Sequence, residues 1–331
     1  MHGAQAPVQP GRVALPRTTL QDQHDLVIRQ LSSQQPFLQP TRSLRTITPP
    51  TVRATTYDVR AIHDEDPHSD SVGGDGKCAH AYPMPESHFD EWVAERYQAL
   101  WPELFHPAVV VPAVDFLARL AGTGPALELG IGTGRIAVPL SRRGVRVHGI
   151  ELSAAMVAQM RAQPEASGIA VTLGDFATTT VDGVFNLVYL LRNTITNLTI
   201  QDEQVRTFRN AAAHLTVGGL FVVENYVPEL RRLPPGETTH VFTATPTHLA
   251  FEEYDVAQQI AVSHHYWFVD GHFKHFSSPH RYLWPAELDL MARPAGLRLR
   301  ERWSGWNREP FTGESRGHIS VWAKGPIGSR C

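Results

Sequence analysis

Apolar and polar positions change their period twice along this chain. From Phe89 onward, Phe89, Trp92, Val93, Tyr97 and Leu100 recur at three- and four-residue steps, which predicts an amphipathic helix. A second helix is predicted over 107–120, opened by Pro107 where a missing N–H costs nothing. From Ala126 the pattern becomes short apolar runs alternating with helical stretches. Strands are expected at 126–129, 145–150, 170–173, 185–190 and 220–224, with helices at 135–143, 153–163 and 202–215 between them. Ser153 and Asp202 read as the N-caps of the last two helices. Such alternation favours parallel βαβ units over a bundle or sandwich. Across 236–284 the period drops to two: Tyr266 to Val269 and His272-Phe273 flank Asp270-Gly271, which predicts an antiparallel hairpin within an inserted, β-rich cap. A helix over 285–291 follows. Strands at 297–303 and 318–322 lie too close for a helical crossover and are expected as antiparallel neighbours at one sheet edge. The expected fold class is α/β, doubly wound, with a mostly parallel seven-stranded sheet.

Composition separates the first part of the chain from the rest. Residues 1–84 are rich in Pro, Gln, Thr, Ser and Arg, and include Thr48-Pro49-Pro50 and Gly73, Gly74 and Gly76, so a disordered extension is expected, with at most a turn or two of helix over 25–31. Six arginines precede Asp58, but no amphipathic stripe accompanies them, which favours a passive extension over a targeting peptide. The folded domain is expected over 85–325. The full chain has 331 residues, 42% of them hydrophobic, enough for a real core. Thirty Lys and Arg against 33 Asp and Glu leave no global positive field of the kind a nucleic-acid binder uses. Only Cys78 and Cys331 are present, which argues against a disulfide framework or a cysteine-based metal site and for a reducing, cytoplasmic setting. No run of about 18 apolar residues suggests a membrane span.

The candidate chemistry begins at Leu127-Glu128-Leu129-Gly130-Ile131-Gly132-Thr133-Gly134-Arg135, which joins a buried strand to a helix. Glycines in such a loop let backbone amides approach a ligand closely. A dinucleotide fingerprint requires its third glycine three residues after the second, facing a pyrophosphate. Arg135 occupies that position. Glu128 would repel a diphosphate and suits a ligand's ammonium group. Each feature also has a plainer reading: three glycines make a tight turn, Glu151 a solvated strand end, Asp175 a turn or cap residue.

Taken together, these residues resemble the class I S-adenosylmethionine-dependent methyltransferases, whose first motif is an acid followed by Gly-x-Gly-x-Gly. Glu151 ends the second strand, where that family keeps an acid for both ribose hydroxyls. Asp175-Phe176 follows the third strand, where the family sets an acid at the adenine amino group and an apolar neighbour at the ring. The fourth strand leads into Leu191-Arg192-Asn193, and Leu215-Thr216-Val217-Gly218-Gly219-Leu220-Phe221 resembles the family's turn into strand five. The resemblance runs in order from Glu128 to Phe221. It implies a Rossmann-like fold, S-adenosylmethionine as cofactor, and cofactor contacts from Tyr97, Glu128, Gly130, Gly132, Gly134, Arg135, Glu151, Leu152, Met156, Asp175, Phe176 and Leu191. The helix carrying Tyr97 is similar to one that many small-molecule members fold over the cofactor; Tyr97 then reaches the cofactor carboxylate, or else simply packs in the core. Met156 has the same two readings, adenine contact or core filling.

The implied reaction is in-line methyl transfer to nitrogen or oxygen of a small organic acceptor, with no obligatory catalytic side chain. Asn193, Asn197 and Tyr226 are the substrate-facing candidates. Asn197 stands where related sugar-amine methyltransferases often carry a histidine, a departure that puts an amino-sugar acceptor in doubt. The cap holds His264, His265, His272, His275 and His280. Strand alternation puts His264 and Tyr266 on one face and His265 and Trp267 on the other, so adjacent histidines cannot both aim inward; no catalytic residue is assigned, and His265 is the candidate base. No zinc spacing is recognisable, so no metal is expected. A nucleic-acid amine methyltransferase would carry an Asn/Asp-Pro-Pro-aromatic tetrad after strand four; the chain has Leu190-Leu191-Arg192-Asn193. Two further readings stand beside the enzyme: a non-catalytic S-adenosylmethionine- or small-molecule-binding module, and a nicotinamide-dependent oxidoreductase. The sequence gives no oligomeric state.

Overall fold

The computed structural model describes residues 89–269 and 271–326. The expectations for residues 1–84 lie outside the described residues. The chain divides into Met1–Ala81 and Tyr82–Cys331, and all that follows concerns the second unit.

Two helices, α1 (Glu91–Leu100) and α2 (Pro107–Ala121), precede the alternating series β1 (Ala126–Leu129), α3 (Ala137–Arg142), β2 (Val147–Glu151), α4 (Ala154–Arg161), β3 (Ala170–Leu173), β4 (Phe185–Leu190), α5 (Gln201–His214) and β5 (Leu215–Tyr226). The cap follows as β6 (Thr239–Ala244), β7 (His248–Asp255), β8 (Ile260–Val269) and β9 (His272–Arg281). Then α6 (Pro285–Ala292), β10 (Leu297–Trp303) and β11 (Gly317–Lys324) return to the main sheet. That sheet has seven strands in the order β10-β11-β5-β4-β1-β2-β3. β3, β2, β1, β4 and β5 run parallel; β11 is antiparallel to both β5 and β10. The strand order reverses between β1 and β4, and a crevice opens beyond the carboxyl ends of strands at such a point.

Both sheet faces are covered, which explains why β1 is buried at all four positions. Alternation divides the core: Leu127, Leu129, Val188, Leu190, Phe221 and Val223 pack with Phe208 of α5 and Leu288 of α6, whereas Ala126, Leu187, Tyr189, Leu220 and Val222 pack with Phe116 and Leu117 of α2. Among the described residues no helix is long and apolar enough to cross a membrane.

Local detail departs from the sequence reading at several points, among them a β2 that starts at Val147 rather than Val145. The helix expected from Arg135 starts at Ala137, because Gly134 at φ +78° still belongs to the loop. Asp202 does not cap α5. Ile200 holds the cap position without a side-chain bond, and Asp202 and Glu203 lie in the first turn, facing the positive end of the helix dipole. What fixes this start is Gln204, whose buried amide donates to the carbonyls of Ile195 (3.2 Å), Leu198 (3.0 Å) and Arg281 (3.2 Å). β5 begins at Leu215 rather than Leu220: its register jumps from Phe185↔Leu215 to Leu187↔Leu220, and Gly218 at φ +78° turns the intervening residues out of the ladder.

The cap is a separate four-stranded antiparallel sheet in the order β6-β7-β8-β9. Val269 pairs with His272 around Gly271 (φ +79°), as the hairpin reading requires, with Asp270 outside the described residues. Arg281, at the end of β9 and 5% exposed, ties cap to core. Its guanidinium donates to Gln204 Oε1 (2.7 Å), Gln259 Oε1 (3.0 Å) and Glu287 Oε1 (3.3 Å). Replacing it leaves those acceptors without their donor, and breaking a buried pair from one side costs about 3 kcal/mol or more. Arg281→Met should therefore lose about that much stability in urea denaturation; a loss below about 1 kcal/mol would show that the tie is dispensable.

Candidate active site

A cavity of about 810 Å³ lies at the carboxyl ends of β1, β2 and β4, beneath the cap. That is large for a single ligand site, within the usual span of about 300–1,000 Å³. One half is built from the glycine loop and the strand ends, the other from the segment after β4 and the inner face of the cap.

In the first half, Glu151 organises the backbone. Its Oε2 accepts from the Gly132 N–H (2.8 Å) and its Oε1 from the Ser153 N–H (3.0 Å), so one carboxylate joins the glycine loop to the start of α4. Burial raises its pKa, and the surrounding amides pull the other way. Ser153 caps α4 through Met156 N (3.2 Å) and donates to the Phe89 carbonyl (2.7 Å), which anchors the residues leading into α1. Gly132 has φ +56°, and a Cβ there would find only Met156 within 4 Å, at 3.4 Å. Gly134 does not line the cavity; it lies beneath Met160 and Val138, each 3.0 Å from where a Cβ would sit. Its contribution is to loop conformation and packing.

Glu128 is 5% exposed and accepts from the Tyr189 hydroxyl at 2.9 Å. No ion pair to it occurs among the described residues. Burial pushes its pKa up to about 8 against the opposing pull of Tyr189 and Arg135. The Thr133 hydroxyl, on the same loop, is buried without a hydrogen-bond partner. Arg135 lines the cavity and donates to the Leu104 carbonyl at 3.2 Å. Tyr97 lines it too, packed among the rings of Phe89, Trp101 and Phe105 at 5.9, 5.2 and 5.9 Å, so the packing and the lining readings both describe it. Asp175 accepts from Ala177 N at 2.8 Å, the bond of a turn residue, while its side also faces the cavity beside buried Phe176, Met156 and Leu191 and exposed Leu152.

The second half begins with two consecutive non-glycine residues in left-handed backbone, Arg192 (φ 56°) and Asn193 (φ 61°). Glu224 holds them: its Oε2 accepts from Arg192 N (2.9 Å) and its carbonyl from Asn193 N (3.1 Å). The Asn193 side chain then accepts from Tyr226 N at 2.8 Å, so it fixes the chain leaving β5. Asn197 and Tyr226 line the cavity. From the cap, His265 does so at 9% exposure, with its Nδ1 3.0 Å from His248 Nε2 and its ring edge-on to Trp101. Burial, then the neighbouring His248, lowers the His265 pKa to about 4, so the ring is neutral at neutral pH. Among the described residues no group of three His, Cys, Asp or Glu is placed to hold a metal ion. The sequence reading missed His248 and Glu252, which also line the cavity. Their signal was available in alternation: 248, 250, 252 and 254 share one face of β7.

Comparison with known proteins agrees with this geometry. A family model described as a methyltransferase domain matches residues 126–219. The CcbJ methyltransferase of Streptomyces caelestis is 35% identical, with a TM-score of 0.65 over 73% of this chain and 100% of that one. The cypemycin N-terminal methyltransferase of a Streptomyces species is 28% identical over 242 residues, 70% of this chain and 96% of that protein. The S-adenosylmethionine-bound CalS10, an amino pentose methyltransferase of Micromonospora echinaspora, shares the fold at 20% identity and a TM-score of 0.54, covering 69% of this chain and 96% of its own. The chain belongs to the class I S-adenosylmethionine-dependent methyltransferases, enzymes with S-adenosylmethionine as cofactor. That membership sets aside the nicotinamide and non-catalytic readings.

Glu128 gives the free protein a distinct pH dependence. With a folded pKa of about 8 against an ordinary 4.5, the folded state binds the extra proton between those values, so stability falls as pH rises through that window. Glu128→Gln should flatten this part of the stability–pH curve while keeping an acceptor for Tyr189; parallel curves for the two proteins would contradict the assignment.

Proposed function

We propose that this enzyme methylates an amine nitrogen on a small organic acceptor. The observation that carries the choice of nitrogen is the neutral histidine pair in the acceptor half. A hydroxyl acceptor calls for a base whose pKa lies near the working pH, and His265, buried, engaged with His248 at 3.0 Å and lowered to about 4, is a weak base for that task. An amine needs only to arrive unprotonated. The relative named as an N-terminal methyltransferase supports the same reading.

S-adenosylmethionine supplies an electrophilic methyl group on a sulfonium centre. The residues of the first half fit such a molecule: a buried carboxylate lacking a cation, a buried hydroxyl lacking a partner, and a glycine whose side opens on the cavity. In this reading Glu128 meets the ammonium of the methionine part, and Tyr97 and Arg135 its carboxylate. Glu151 turns its remaining lone pairs to the ribose hydroxyls, and Asp175, Phe176, Leu152 and Met156 surround the adenine. Gly130 and Gly132 give close backbone approach, Gly134 holds the loop's shape, and Leu191 adds an apolar wall. Asn193, Asn197 and Tyr226 border the acceptor. The protein's contribution to rate is then to position the two reactants and exclude water. The two-cysteine composition supports a cytoplasmic setting for this chemistry.

The reading is tested by following label from methyl-labelled S-adenosylmethionine into a panel of amines and their matched alcohols and carboxylates. Label should enter amines; label entering only alcohols or carboxylates would contradict it. His265→Phe should lower turnover by less than about 10-fold, whereas removal of a general base costs about 10²–10⁴-fold.

A further inference from the structure

We propose that Glu252 selects the acceptor: its carboxylate receives the substrate's ammonium form on the cap side of the cavity, the nitrogen gives one proton to water before it attacks the methyl group, and the methylated nitrogen, cationic again, stays paired with the carboxylate. This inference rests on the amine reading given above and assigns the residue that enforces it.

Glu252 lies on β7 directly opposite Ser263 of β8, on the face that also carries His248 and His265. Its Oε1 accepts from the Ser263 hydroxyl at 3.3 Å, and its Oε2 from the hydroxyl of Tyr254, itself 6% exposed. Two neutral donors fix the carboxylate in place without neutralising it. No ion pair to Glu252 occurs among the described residues. Among the described residues, the arginines that line the cavity, Arg135 and Arg192, come from the strand-end side. A carboxylate drawn partly out of water is costly until a cation joins it, so this one favours a ligand that brings the charge.

The surroundings fit the same ligand. His248 and His265 both have lowered pKa values through burial and stay neutral, so they do not repel a cation. Tyr226, whose phenol is held protonated by burial and then by the Glu252 charge, faces the same space. Trp101, Tyr226 and Phe242 add aromatic faces, which attract ammonium groups. A carboxylate-bearing acceptor would meet Glu252 as a like charge. The side chain acts in recognition, so affinity is the quantity it controls.

The test measures binding of 2-phenylethylamine and its neutral counterpart 2-phenylethanol to protein saturated with S-adenosylhomocysteine. Wild type should prefer the amine by about 10-fold or more, the worth of one charge-assisted hydrogen bond. Glu252→Gln, which keeps an acceptor for Tyr254, should bring the two probes to near-equal affinity. Glu252→Lys should reverse the order and favour 3-phenylpropanoate over the amine. Unchanged affinity for S-adenosylhomocysteine shows that both variants are folded. An amine preference that survives in Glu252→Gln overturns the role of Glu252 and leaves the amine reading standing. Equal or undetectable binding of both probes to wild type overturns the role of Glu252, whereas label entering only alcohols or carboxylates overturns the amine reading.

Discussion

The Glu151 carboxylate, shared between the Gly132 and Ser153 amides, is the contact on which the cofactor half depends. It ends β2, fixes the glycine loop that ends β1, and sets the first turn of α4 in one step. Through Ser153 the same point reaches the Phe89 carbonyl and so the approach to α1. A helix capped by Asp90 at one end of the described chain and a loop at the sheet's switch point are thereby held in register. The arrangement is built of backbone donors on a buried acid, which are short, directional and strong in a poorly solvated setting.

The acceptor half is built differently. Its floor is the left-handed pair Arg192-Asn193, which is stable only because Glu224 and Tyr226 hold it from β5. Its roof is the cap, joined to the core by Arg281 and by the amide of Gln204, which reaches the segment after β4 and β9 together. A polar network of this kind fixes one relative placement of roof and floor, where an apolar contact would permit sliding. The two halves also differ in electrostatics. Acids dominate the strand ends, whereas among the described residues the cap contributes the neutral His248 and His265, hydroxyls and one acid, Glu252.

Much of this was legible in the residues, and the exceptions share a cause. The positions of the strands along the chain, the Ser153 cap and the hairpin at Gly271 follow from local pattern, because each is decided within a few positions of the chain. Asp202 fails as a cap because Gln204, buried against residues far away in sequence, decides where α5 starts. The excursion at Gly218 depends on the register against β4. Nothing local marks Arg192 as a left-handed residue; its conformation is enforced by Glu224, 32 positions on. In the site, the glycine loop was readable from spacing, and the strand-end acids Glu128 and Glu151 were singled out through the resemblance to the family. Alternation put His248 and Glu252 on one face of β7, but what brings that face to the cavity is its pairing with His265 and Ser263 on β8, which no local pattern shows. Gly134 was readable as a loop glycine, but its distance from the cavity was not.

Calorimetric titration with S-adenosylmethionine and S-adenosylhomocysteine, on wild type, Gly132→Arg and Glu151→Ala, tests the central claim most directly. The account predicts saturable binding to wild type, loss of it in Gly132→Arg, where a side chain would enter the cavity from a φ +56° backbone, and a weakening of about 10- to 100-fold in Glu151→Ala. Binding indifferent to both substitutions, or no binding to the wild-type chain, would contradict it.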